Sequence, residues 1–169
     1  MFDYEISSGN LSMLRRNWLR RESSMMKTAQ ELPAFIPYFS ELEDHDVIEI
    51  GPGQNPVCRF FRCKSYKGVQ PFVSRGELGG DYLLTDGLSY LKTEPDNSAV
   101  VCMVGLDDFV LGNFGSNLHQ AYVFQLAREI RRVSHPFAIV LGGDAKTWLG
   151  TADIGLELSD RWGGVYLFD

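Results

Sequence analysis

"VIEIGPGQNP", Val47 to Pro56, sets an acid inside a nearly continuous apolar run and then turns sharply through Gly51-Pro52-Gly53. Such a turn needs the glycines but has no need of Glu49, so the pairing of acid and turn carries the information. Glycines after a strand let the backbone approach a ligand closely and leave amide donors at the start of the next helix. A ligand-free strand-to-helix turn uses the same residues. A dinucleotide site would require a third glycine and an acid some 20 residues later. Here Pro56 stands at the third position and Gln70 ends the second strand. A pyrophosphate would also be repelled by Glu49, whereas a cationic ligand would be attracted.

Outward from this stretch, strand and helix patterns alternate. "DVIEI" is a short buried strand, and "NPVCRFFRC" after the turn is expected to continue as a short helix. "SYKGVQPF" supplies a second strand and "DYLLTDG" a third, with Asp86-Gly87 at its end. "SAVVCMV" is apolar from Ala99 to Val104, as in the middle of a parallel sheet. Leu118, Tyr122, Leu126, Ile130 and Val133 mark one face of a long helix that Ser116 or Asn117 would cap. "PFAIVLGG" is a fifth strand, and "DIGLELS" with "GGVYLFD" reads as a closing hairpin. Residues 1–45 form a helical arm with Leu11, Leu14 and Trp18 on one side, and "YFSELEDHD" adds a short helix before the domain of residues 46–169. The alternation implies a parallel sheet wound by right-handed crossovers, whose ligands bind beyond the carboxyl ends of the strands.

Composition bounds the function. With 169 residues, 44% of them hydrophobic and 22% charged, the chain is long enough for one domain with a substantial core. A net charge of −6 argues against a general nucleic-acid surface. Arg15, Arg16, Arg20 and Arg21 read as a solvated helix face, with an anionic substrate or RNA as the alternative. Cys58, Cys63 and Cys102 match no zinc spacing and are odd in number, so they are read as packing residues of a reduced, cytoplasmic protein. No signal peptide, membrane span or metal site is expected.

At this point the sequence resembles the class I S-adenosylmethionine-dependent methyltransferases. "VIEIGPGQNP" looks like their first motif, "YKGVQPF" their second, and "TDGLSYL" the segment that places an acid beside adenine. "TEPDNSAVVCMVGLDDF" resembles their fourth-strand segment, and "AREIRRVSHPFAIV" their long helix with the fifth strand. "RWGGVYLF" is similar to their last strand, so the resemblance runs from Asp46 to Asp169. It implies an α/β Rossmann-like methyltransferase fold: a mainly parallel seven-stranded sheet with a C-terminal antiparallel hairpin, preceded by the helical arm. It further implies that S-adenosylmethionine is held by Glu49, Gly51, Pro52, Gly53, Asn55, Gln70, Asp86, Gly87, Leu88, Gly105 and Leu106. In that arrangement Glu49 orients the methionine amino end through the turn and Asp86 accepts from the adenine amino group.

The sequence departs from the family at Gln70, where an acid usually binds the ribose; an amide makes those bonds more weakly. "GGDAKTWLGTA" is short for a crossover helix, so the sheet face there is expected to be covered by the arm or by a second subunit, a dimer being favoured. Asp107 and His119 are the candidate bases for a methyl acceptor that the sequence does not identify. The alternatives are a non-catalytic methyltransferase-like binding or interaction module and, more remotely, a nucleotide-dependent enzyme.

Overall fold

A computed structural model describes residues 36–52, 56–70, 81–104, 116–141, 157–160 and 163–167. Its strands are β1 (Asp46–Ile50), β2 (Ser65–Gln70), β3 (Asp81–Leu84), β4 (Ala99–Val104), β5 (Ser134–Leu141), β6 (Glu157–Asp160) and β7 (Gly163–Leu167). Its α-helices are α1 (Ile36–Glu41), α2 (Gly87–Leu91) and α3 (Ser116–Val133), joined by 3₁₀ turns at Leu42–Asp44 and Val57–Arg59. The strand order is β3-β2-β1-β4-β5-β7-β6. From β3 to β5 every pairing is parallel, while β7 runs antiparallel to both β5 and β6. This is a Rossmann-like α/β sheet, and the order reverses between β1 and β4, where such sheets bind ligands.

Burial on both sides explains why β1 and β4 are so apolar. In parallel strands, paired residues share a face and alternate along the chain. The register therefore sets Val47, Glu49, Tyr66, Gly68, Gln70, Val100 and Cys102 on one face. There they meet Phe39 of α1, Leu42 and Val57, with Phe137 and Ile139 of β5 completing the cluster. Phe39 stacks on Phe61 with ring centroids 4.6 Å apart and planes 12° from parallel. The connection from β1 to β2 forms only a 3₁₀ turn in its described part, and α1 supplies the helical packing on that face. The last residues of the arm segment thus belong to the core.

The opposite face carries Ile48, Ile50, Val69, Val101 and Met103, buried with Leu88 and Leu91 of α2 and Leu126, Ile130 and Val133 of α3. The sequence marked Leu126, Ile130 and Val133 as the inner stripe of this helix, and all three are buried. The β5 strand begins at Ser134, directly after α3 and two residues before the boundary that Pro136 had marked. Pro136 has no N–H to give, and the register between β4 and β5 shifts at this point, between Ala99 and Val101.

At the amino ends of β4 and β5, Arg132 joins three segments. It donates to the carbonyls of Leu91 at 2.6 Å and Glu94 at 2.8 Å, and pairs with Asp96 and Glu129. The amides of Asn97 and Ser98 donate to the carbonyls of Arg132 and Val133, each at 2.9 Å, so the loop caps the helix end. Arg128 and Arg131 on the same helix are exposed, whereas Arg132 is half-buried. Among the described residues no helix is long and apolar enough to cross a membrane.

Candidate functional site

Four polar or charged residues are buried among those described: Glu49, Gln70, Asp86 and Ser134. Three of them stand at or just past the carboxyl ends of β1, β2 and β3, three neighbouring strands. Burial of polar groups is costly unless they are hydrogen-bonded, so this grouping at one rim needs a physical account.

Glu49 is 1% exposed. Its Oε2 accepts the Val57 amide at 2.8 Å and the Tyr66 hydroxyl at 2.6 Å. Burial pushes its carboxyl up to about 7, against the opposing pull of the Tyr66 and Val57 bonds. The short helix expected after the turn is thus a single 3₁₀ turn, and its first amide is satisfied by the protein's own carboxylate. The carboxylate faces inward, so any influence of Glu49 on a ligand passes through the turn that it holds.

Gly51 follows β1 with φ of 69°, a conformation that glycine adopts freely and other residues do not. Its amide donates to the carbonyl of Val69 at 2.8 Å, which locks the start of the turn against β2. Pro52 and Pro56 are buried on either side of the turn. Gly53 and Asn55 lie outside the described residues, as do Asp107, Gly105 and Leu106.

Gln70 is fully buried as the last residue of β2, on the face that carries Glu49. Asp86 is 1% exposed and caps α2, its Oδ2 accepting from the Ser89 amide at 3.0 Å. Gly87 begins that helix against the end of β1: a Cβ there would lie 2.5 Å from Cγ2 of Ile50. Leu88, beside it, is fully buried. Glu49, Gly51, Gln70, Asp86 and Gly87 are therefore brought to one rim, while His119 is placed in the first turn of α3.

Tyr66 is the site residue that the sequence did not single out. Its ring packs edge-on against Tyr82, with centroids 5.9 Å apart and planes at 65°. Tyr82 in turn lies over Gly68, where a Cβ would come within 2.5 Å of its ring. Alternation in "SYKGVQ" places Tyr66 and Gly68 on one face, but only the register with β1 brings the phenol to Glu49.

No protein-family model matches the chain, and no curated protein matches it in sequence. Among solved structures, the chain is similar to a SAM dependent methyltransferase from Archaeoglobus fulgidus at 18% identity and a TM-score of 0.49. The similarity covers 79% of this chain and 60% of that one, so the chain spans less than two thirds of that protein.

Proposed function

We propose that the chain binds S-adenosylmethionine at the carboxyl rim of β1 to β3 and transfers its methyl group to an acceptor. The supporting observation is Glu49: a buried carboxyl with no basic hydrogen-bond partner among the described residues, bonded to the turn it precedes. A neutral amide could accept the same two bonds with a smaller desolvation cost. A negative charge at this position is accounted for by a cationic ligand above the turn. Arg75 follows β2, while Gly51-Pro52 after β1 and Thr85-Asp86 after β3 carry no Lys or Arg that a phosphate would favour. Their chemistry suits an ammonium and a sulfonium centre.

When bound, the cofactor supplies a methyl carbon already activated for displacement. The protein's part is positioning. Gly51 would let the backbone approach the ligand, Gln70 would offer an amide to the ribose, and Asp86 would accept from the adenine amino group. Asp107 and His119 remain the candidates to take a proton from the acceptor.

The internal bonding of Glu49 and Asp86 favours a second reading, a methyltransferase-like module whose rim is closed upon itself. Calorimetric titration with S-adenosylmethionine, S-adenosylhomocysteine and NAD separates the two. Binding of the first two, weakened by Gly51→Val, is the expected result. Absence of binding at millimolar ligand would leave the closed module. Transfer of a labelled methyl group over a panel of acceptors then tests activity.

A further inference from the structure

A buried carboxyl whose described hydrogen-bond donors include no cation needs another source of stabilisation if it is to carry charge near neutral pH. Two donors reach Glu49 Oε2, and the Tyr66 hydroxyl, at 2.6 Å, is the shorter contact. The phenol is not free to wander, because its ring is held by Tyr82 and the close passage of Tyr82 over Gly68 fixes that partner. Around them stand Tyr82 from β3, Cys58 and Arg59 from the 3₁₀ turn, Cys63 from the following loop and Cys102 from β4. Burial first, then nearby negative groups including Glu49, pushes Cys58 up to about 11 and Cys63 up to about 12, and raises Cys102 well above its ordinary value. Burial likewise pushes Tyr82 up to about 12. These groups are therefore neutral where Glu49 titrates. Arg59 is exposed and carries the one positive charge of the set.

We propose that Tyr66 is a positioning residue of the site, its phenol holding Glu49 Oε2 against the Val57 amide and keeping the carboxylate charged beneath the turn. The role at the ligand rests on the S-adenosylmethionine reading above; the coupling of Tyr66 to Glu49 does not. A hydrogen bond to the charged form favours that form. Loss of the phenol therefore moves Glu49 further up, and the site loses its charge at neutral pH.

The test compares the wild type with Tyr66→Phe, which keeps the ring and removes only the hydroxyl. The Glu49 carboxyl is followed by ¹³C NMR in glutamate-labelled protein, its signal assigned by its disappearance in Glu49→Gln. S-adenosylhomocysteine affinity is measured between pH 5.5 and 8.5 on the same samples. In Tyr66→Phe the Glu49 midpoint should rise by about one pH unit or more. Affinity at pH 7 should fall about fivefold and recover as pH rises, since binding follows the ionised fraction. An unchanged midpoint overturns the proposal whether or not the ligand binds. A shifted midpoint with affinity that ignores it overturns the role at the ligand. A shifted midpoint with no binding by any variant supports the coupling and defeats the cofactor reading instead. Should Tyr66→Phe fail to fold, the wild type still decides. Protection of the Val57 amide from hydrogen exchange should increase as Glu49 ionises, and protection indifferent to that midpoint overturns the proposal.

Discussion

Gly87→Ala adds one methyl group at the point where α2 meets the end of β1. Its Cβ would stand 2.5 Å from Cγ2 of Ile50 and 3.1 Å from Cδ1. The first distance is about 1 Å short of an optimal carbon–carbon contact. Ile50 is 1% exposed and sits at the end of its strand, so its side chain cannot swing into solvent. Overpacking of this kind costs about 1–3 kcal/mol, and replacing glycine in a helix returns about 0.5–1 kcal/mol. The net loss should be about 1–2 kcal/mol, a fall in Tm of roughly 2–8 °C for a chain of this size. Scanning calorimetry or urea unfolding reads it directly. The cause is isolated by repeating the change in Ile50→Ala, where the methyl enters the space left by the isoleucine. There Gly87→Ala should be neutral or stabilising, with a coupling of about 1–3 kcal/mol across the cycle. Ile50 also precedes Gly51, so S-adenosylhomocysteine binding should weaken in the single variant and not only stability. An equal effect in both backgrounds, or none in either, would show that the helix and strand do not meet as described.

Glu49 should make the fold less stable as pH rises. Its carboxyl lies at about 7 in the folded protein against 4.5 ordinarily, so between those values the native state holds the extra proton. Stability is therefore lost across that window, by about 3 kcal/mol relative to Glu49→Gln. Urea midpoints of the two proteins at pH 5 and pH 8 should diverge in that sense, and a wild type that gains on the variant contradicts it. Asp86→Ala should cost about 1 kcal/mol through loss of the α2 cap, whereas Asp86→Asn keeps an acceptor and should cost less in thermal melts. Arg132→Lys should lose nearly as much stability as Arg132→Ala, roughly 1–3 kcal/mol in urea, because an ammonium cannot reproduce the forked contacts to two carbonyls. Most of that loss should persist at high salt, since the partly exposed ion pairs contribute little.

The sequence disclosed the sheet best where local pattern and burial agree. Val47 to Ile50, Glu49 apart, and Ala99 to Val104 are apolar because helices or turns cover both faces, and that condition is written into each strand separately. The start of β5 was misplaced because proline usually marks a boundary, whereas here it lies within the strand at a register irregularity. The acid at Glu49 stood out, but its inward direction did not. Its partners are Val57, eight residues on, and Tyr66, seventeen residues on, and strand pairing alone brings the latter near. Asp86 carried a legible signal of another kind: an Asp ahead of a helical segment is a natural cap, and the cap is formed. Arg132 could not be assigned from helical periodicity, because its partners at Leu91, Glu94 and Asp96 belong to another connection. Local preference reveals elements, but a side chain's direction toward a remote partner requires the completed topology.

The knot of bonds at Arg132 gives the molecule a floor. It fastens the end of α2, the entry to β4 and the exit from α3 into one unit, at the pole opposite the glycine turn. Loops at the turn's pole can then change length or composition without loosening the sheet that carries them. A chain anchored this way at its base can vary the residues of its upper rim while keeping its architecture.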